Sequence, residues 1–543
     1  MNKKTYGLFI AFMCVINFNY HLKAENSSSK EEIESLALLA KSWGILKYYH
    51  PNVISLKEKN LTDSLLFKYI KAIDNNKDVN QIVAELINDF GELKEIKEIT
   101  SEPILKDMLF RLLNNHNKQV LSLVITSYRG FKNPYYYNKD GDYHPFKNEE
   151  SYKDFGTYPP KELRLLSLFR LYHVLYYFYP YPNQIDANLD ELLLKYIPLV
   201  ISAKDDIEFH KSIFGFMSYL KDSHTLIFSK AFYDKWHWDG FYPPIHIDKV
   251  DAKFIISQIL NDSLTTQDIL SVGDNILSID GEPIEEVYEF YNQLYGNSND
   301  IAQYFKLCRY NITNGAENSE IKFKITHNGV IKEVALNRNI SFGKEYLPPV
   351  DTANYRILND TALYINATKF SKEFFNDNIF RKHFYTSKIL IIDMRGYISS
   401  GDIFNSLLGR LTNKKILAAN FEWVSKTNIT KIDSSNFSIK PLFFRKKHLN
   451  RKIYGLINIH AISAMETFAM GIKALGGEFI GASSIAGNGG LENIPLPGSI
   501  FLRLSMSSVY FPDGTCLLPK GIVPSLKQDY LELKKNNYIG IIK

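Results

Sequence analysis

The run IYGLINIHAISAMETFAMGIKALGGEFIGA, residues 453–482, decides the fold class. An apolar, β-rich run (453–459) leads into a turn of small residues. A helix-like run (467–477) follows, closed by Gly476 and Gly477, and then a second short apolar run (478–482). Strand, turn, helix and strand in this order build an α/β domain. ALYINAT (362–368) and KILIIDMRG (388–396) add two β-rich runs upstream, so the domain extends from about residue 345 onward. Ser463 falls in the turn, and its position has two readings. A hydroxyl between a strand and a helix lies beside N–H groups that favour developing negative charge. Acyl transfer asks this of its nucleophile. Alternatively, Ser463 caps the helix and Glu466 reaches back to complete a capping box. The local residues fit both.

The remaining composition narrows the classes. The chain has 543 residues, 45% apolar and 23% charged, which fits a globular protein of three or four domains. Its 64 basic and 59 acidic residues leave a net charge of +5 with no basic block, which argues against a nucleic-acid partner. Lys3 and Lys4, a mostly apolar run over 5–18, and Leu22-Lys23-Ala24 resemble a secretory signal peptide, residues 1–24. The expectation is an exported protein, periplasmic or secreted, with no membrane span after cleavage. Cys14 lies inside the apolar run. Beyond it only Cys308 and Cys516 remain, as one disulfide or as two free thiols. No Cys/His spacing suggests zinc, and no metal or other cofactor is expected.

The N-terminal half contains a diverged repeat. LALLAKSWGILKYYHPN (36–52) aligns with LLSLFRLYHVLYYFYPY (165–181), and LLFKYI (65–70) aligns with LLLKYI (192–197). Apolar residues recur at three and four, which predicts two helical units, 25–127 and 162–234. A polar, aromatic linker, 128–161, joins them. From 235 to 340 the pattern changes to short strands. Asp280-Gly281 and Asn328-Gly329 mark tight turns between them. VGDNILSIDGEPIEEV (272–287) resembles the segment that closes a PDZ domain. Such domains hold a peptide on a sheet edge and its carboxylate on backbone N–H groups. The resemblance puts that loop at Gly240, Phe241 and Tyr242.

The order of segments carries a wider resemblance. A helical region ends in Asp222-Ser223-His224-Thr225, and the PDZ-like stretch follows. Asp393-x-Arg395-Gly396 comes after a strand, then Ser463-Ala464-x-Glu466, then Gly521-Ile522-x-Pro524. Over about residues 160–530 this is similar to the S41 peptidases, the C-terminal processing (tail-specific) and tricorn-like proteases. The resemblance implies a ClpP/crotonase-like α/β catalytic domain at 341–543 and makes Ser463 the nucleophile. In the processing branch a lysine in a Gly-rich loop is the base. Here GASSIAGNGG (481–490) has Asn488 at that place. The tricorn-like branch uses a histidine, which implies His224 as general base and Ser223 as its orienting partner. The alternative for His224 is a polar residue at a helix end. The oxyanion donors would be the N–H of Ala464 and the loop with Ser399 and Ser400, where the family has paired glycines. The tricorn-like glutamate would fall near Leu518, with Asp513 as the nearest acid. The implied function is an exported serine endopeptidase acting on protein or peptide tails. The alternative is a decayed homologue that binds peptides or serves as a scaffold.

Overall fold

The computed structural model describes residues 29–55, 61–93, 108–128, 146, 148–236, 239–250, 252–261, 264, 269–341, 353–359, 361–425, 428–442 and 451–527. The expected signal peptide, Cys14 and part of the linker lie outside the described residues. No described helix is long and apolar enough to cross a membrane.

Helices α1 (Lys30–Tyr49), α2 (Leu61–Asp74), α3 (Val79–Phe90) and α4 (Asn115–Ser127) form the first unit. Helices α5 (Lys161–Tyr177), α6 (Leu189–Ser202) and α7 (Asp206–Met217) form the second. The packing order recurs, since α1 lies on α2 and α3 as α5 lies on α6 and α7. The two units share one core, in which Leu36, Trp43 and Leu46 meet Leu165, Leu168 and Tyr172. Gly44 lets the units close together. A Cβ there would stand 1.9 Å from His173 Nε2, so a side chain at this position would displace the buried ring. Gly44→Ala is therefore expected to destabilise the helical region by about 1–3 kcal/mol. Denaturant unfolding monitored by far-UV circular dichroism measures it.

The linker supplies part of this core. Lys47 Nζ lies 2.9 Å from Glu149 and 3.5 Å from Asp63, and Arg170 lies 3.1 Å from Glu149 and 3.2 Å from Asp63. All four side chains are essentially out of solvent. Arg170 also donates to Pro495 O at 2.5 Å, fastening the helices to the C-terminal domain.

After α7 come β1 (Leu226–Ser229) and α8 (Lys230–Trp236), and then the β-rich domain. Its strands are β2 (Phe241–Tyr242), β3 (Ile245–Val250), β4 (Lys253–Ile259), β5 (Asn275–Ile279), β6 (Glu282–Pro283), β7 (Glu320–His327), β8 (Val330–Asn337) and β9 (Ile340–Ser341). The main sheet runs β3-β4-β5-β7-β8. Both predicted turns have two successive positive φ values, 51° and 91° at Asp280-Gly281 and 49° and 79° at Asn328-Gly329. That is what type I′ hairpins require. Helices α9 (Ile284–Asn292) and α10 (Asp300–Lys306) lie between β6 and β7, and α10 runs into a π turn, Leu307–Asn311. Arg309 on that turn forms two 3.1 Å bonds to Asp248 on the edge strand β3.

The C-terminal domain contributes β10 (Tyr355–Asn359), β11 (Ala362–Asn366), β12 (Ile389–Asp393), β13 (Ile416–Val424), β14 (Ile432–Ile439), β15 (Lys452–Ile457), β16 (Glu478–Gly481), β17 (Leu491–Leu496), β18 (Ile500–Ser505), β19 (Ser508–Tyr510) and β20 (Leu526–Lys527). Helices α11 (Asn378–Thr386), α12 (Asp402–Ser406) and α13 (Ala464–Ala474) alternate with them. The central sheet, β10-β11-β12-β15-β16-β20, is parallel from β11 to β20. It is covered on both faces, as parallel sheets are. Leu390 and Ile392 enter a core with Phe468, while Ile391 joins Tyr364, Leu456 and Ile480 on the other face. The loops at the carboxyl ends of β12 and β15 carry residues 394–397 and 458–463, the usual place for ligands in an α/β sheet. Hairpin β17-β18 leaves this domain to pair with β1, so one sheet joins the expected second helical unit to the C-terminal domain. Cys308 and Cys516 are free thiols.

Candidate active site

Ser463 does not cap α13 in the ordinary way. It stands at the N-cap position with φ 56° and ψ −117°, and its side chain makes no cap hydrogen bond. That backbone conformation is rare outside glycine and costs on the order of 1–3 kcal/mol. It lifts the hydroxyl off the helix and into a cleft. The Ser463 N–H donates to Gly487 O at 2.8 Å, which ties the turn to the loop after β16. Glu466 is the second anchor of that loop. It is fully buried and accepts from Ser484 Oγ at 2.5 Å, Ala486 N at 2.9 Å and Gly487 N at 3.1 Å. Burial pushes its carboxyl up to about 7 against the pull of these bonds. The capping box is only half formed: the Ser463 side chain caps nothing, while the Glu466 carboxyl, besides its interaction with the Ser463 backbone, organises the 484–487 loop. Glu466→Ala leaves three donors without their acceptor, so a loss of at least about 3 kcal/mol is expected. Glu466→Gln, which keeps one acceptor oxygen, should lose less in the same denaturation experiment.

His224 stands seven residues beyond the end of α7, in a turn before β1, so the helix-end reading does not describe it. The turn is fixed from both sides. Asp222 accepts from His224 N at 2.8 Å and from Thr225 Oγ1 at 3.1 Å. Ser223 and Ser298 exchange two bonds: Ser223 N donates to Ser298 Oγ at 2.8 Å, and Ser298 N donates to Ser223 Oγ at 2.9 Å. Ser298 Oγ donates onward to Ala486 O at 2.6 Å, and Lys306 Nζ donates to Ser223 O at 2.5 Å. Ser223 therefore fastens the histidine turn to the start of α10 and does not touch the imidazole. The ring is 6% exposed, and its Nδ1 has no hydrogen-bond partner among the described residues. Burial lowers the imidazole to about 4. Asp222 pulls it up, and Lys306 and Arg503 push it further down. Burial also holds the Lys306 ammonium down to about 8.

One cavity of about 1580 Å³ brings the pieces together. Ser463 and His224 both line it, with Lys306, Arg395, Gly396, Tyr397, Gly240 and Tyr242. Gly487 sits between the two candidate catalytic residues. Its carbonyl holds Ser463 N, and a Cβ on it would lie 3.2 Å from His224 N. No direct hydrogen bond joins the Ser463 hydroxyl to the His224 ring. Gly396 and Tyr397 after β12 line the cavity, and Ala464 follows Ser463 at the first helical position without being among the residues that line it. Ser399 and Ser400 are turned to other work. Ser399 Oγ donates to Phe370 O at 3.0 Å, Ser400 Oγ accepts from Asp402 N at 3.1 Å, and neither lines the cavity. Asp393 holds Arg395 through two bonds of 2.8 and 2.6 Å, which shapes the loop from beneath.

Three positions expected to hold other groups have structural roles. Asn488 donates to Thr467 Oγ1 at 3.0 Å and accepts from Gly489 N at 2.8 Å. Leu518 is 2% exposed in the helical core, and Asp513 lies in an exposed turn, accepting from Thr515 N. Around Gly240 and Phe241 the amides are engaged within the fold. Gly240 N donates to Asn314 Oδ1 at 3.0 Å, and Phe241 N donates to Gly315 O at 3.4 Å. Carboxylate capture there would require this short ladder to open.

Comparison with known proteins agrees with this layout. Residues 240–341 match the PDZ domain model and residues 350–528 match peptidase family S41. The structure of mature CPAF complexed with lactacystin is similar with a TM-score of 0.50 and 14% identity, covering 68% of this chain and 94% of that one. The photosystem II D1 C-terminal processing protease gives a TM-score of 0.39 at 12% identity, over 67% of this chain and 92% of its own. A putative peptidase from Parabacteroides merdae gives 0.40 at 14%, over 69% and 92%. No curated protein matches the chain. The chain joins a helical N-terminal region to a stretch that matches the PDZ domain model and a stretch that matches the model of peptidase family S41.

Proposed function

We propose that this protein is an exported serine endopeptidase in which Ser463 attacks the peptide carbonyl and His224 takes its proton. The observation that carries the reading is the strained Ser463 turn, opening beside His224 into one cavity that Gly396 and Tyr397 also line; the N–H groups of Ala464, Gly396 and Tyr397 are the candidate oxyanion donors. An acyl-enzyme forms on Ser463 Oγ, the amine leaves with the proton from His224, and water then releases the acid. The N–H groups stabilise the oxyanion, which needs donors fixed before the reaction. Among the described residues no carboxylate bonds to the imidazole, and Asp222, the acid beside it, bonds to the His224 backbone. The rival reading is a peptide-binding homologue without turnover, favoured by the unpartnered Nδ1 and by Asn488 and Leu518 at the usual Lys and Glu places. Unfolded β-casein separates the two. Cleavage by wild type that Ser463→Ala abolishes supports the peptidase. Equal cleavage by both variants, or none by folded wild type, rejects it.

The PDZ domain lends the cavity α10 and the 240–242 loop, and presents the substrate tail along that wall. Because the loop amides are engaged, free-acid and amidated peptides should share one KM within about threefold. A larger preference for the free acid would restore carboxylate capture.

The buried imidazole sets the acid limb. His224 is neutral and able to accept a proton above about pH 4, so kcat/KM should fall as pH drops through about 4, not through 6.5. The same shift bears on stability. Between about 6.5 and 4 the unfolded chain binds a proton that the folded chain excludes, so stability declines as pH falls across that window. A pH–rate profile and denaturation at several pH values measure the two.

A further inference from the structure

Strand β1 begins two residues after His224 and is the edge of the sheet β1-β18-β17. All four of its residues line the cavity. Ile227 and Ser229 turn their side chains into the core, at 9% and 4% exposure, so their part of the wall is backbone. The register says which groups face outward. Leu226 pairs with Arg503 and Phe228 with Phe501, and on the same register Lys230 N donates to Ser499 O at 3.4 Å. Bonded and non-bonded pairs alternate along an antiparallel ladder. Leu226 and Phe228 therefore bond to β18, while the N–H and C=O of Ile227 point into the cavity. Among the described residues neither group has another backbone partner. Unpaired strand edges accept an added strand through such groups.

The side chains beside this edge are apolar and open. Leu226 is 37% exposed, Phe228 59% and Phe501 43%, and the two phenyl rings lie 6.0 Å apart. We propose that β1 is a docking edge for an extended segment of the polypeptide substrate. One substrate residue exchanges two backbone hydrogen bonds with Ile227, and a neighbouring bulky apolar side chain rests on Phe228 and Phe501. The proposal rests on the peptidase reading of Ser463. The occupant is a substrate strand because the edge opens into the cavity that holds Ser463 and continues directly from His224. Ile227 is three residues beyond His224, roughly 10 Å at about 3.3 Å per residue, so the paired substrate residue stands about three positions from the bond under attack.

The test begins with β-casein as an unfolded probe. A decapeptide spanning its fastest cleaved bond is then N-methylated at each position in turn. Docking at Ile227 predicts one position, away from the scissile bond, where kcat/KM falls at least about tenfold through KM. The residues on either side, whose N–H groups point away from β1, should lose less than about threefold. In Phe228→Ala with Phe501→Ala, the preference for a bulky apolar residue near that position should fall about tenfold in the casein cleavage map. A flat N-methyl profile, or an unchanged apolar preference, overturns the docking edge. So does a wild-type dimer that Phe228→Lys disperses, which would give the edge to a second copy of this chain. Fluorophosphonate labelling of Ser463 keeps the two levels apart. A labelled serine with casein cleavage and a flat profile rejects the docking alone, whereas an unlabelled folded protein, or one that cleaves no casein, rejects the peptidase reading beneath it.

Discussion

Ser463→Ala is expected to lower peptide cleavage by a factor on the order of 10⁴ or more, and His224→Ala by a comparable factor. The double variant should be hardly worse than either single one. Nucleophile and base act as a unit, and removing one leaves the other nothing to activate. Residual activity would come from the oxyanion donors proposed at Ala464, Gly396 and Tyr397, which both variants keep. Multiplicative losses would show that His224 acts on something other than the Ser463 hydroxyl. Ser298→Ala gives a gentler version of this experiment. It removes one half of the reciprocal clasp on Ser223 and the bond to Ala486 O, so kcat should fall while the substrate contacts along β1 remain.

Breaking the buried ion cluster should have the largest effect on stability. Glu149→Gln removes the charge that faces both Lys47 and Arg170, with all three side chains out of solvent. An uncompensated buried cation costs about 3–5 kcal/mol, far more than the intact cluster contributes over an apolar replacement. The helical region should therefore unfold at lower denaturant, read by far-UV circular dichroism. The effect should reach the active site, because Arg170 also holds Pro495 O on β17, in the sheet that continues into β1 and His224. Replacing Lys47, Glu149, Asp63 and Arg170 together by apolar residues of similar volume should recover much of the lost stability. Failure to recover it would mean that the hydrogen bonds from Arg170 to the backbone matter more than the charges.

Much of the fold is written in local pattern. The Asn-Gly and Asp-Gly pairs gave the hairpins, the continuous apolar runs gave the buried parallel strands, and the repeated aromatic helices gave the two helical units. What escaped the sequence depends on distant partners. Glu466 reads as a capping residue, yet three of its donors come from a loop 18 to 21 residues later. Ser223 reads as an orienting partner for His224, yet its mates are in the PDZ domain. Glu149 sits in a polar stretch with every sign of a surface loop, and only the tertiary fold buries it. The resemblance puts the oxyanion loop at Ser399 and Ser400, whereas the residues of that loop that line the cavity are Arg395, Gly396 and Tyr397. The pairing of β1 with β18 has no local signal, because their residues lie far apart along the chain.

The central claim is that Ser463 is a nucleophile activated by His224 without help from a lysine or an acid at the usual places. Fluorophosphonate labelling followed by peptide mapping measures it most directly. The account predicts an adduct on Ser463 in the wild type at neutral pH, none in Ser463→Ala, and labelling slowed by orders of magnitude in His224→Ala. A folded wild type that takes no label, or a label that persists undiminished in either variant, would contradict it.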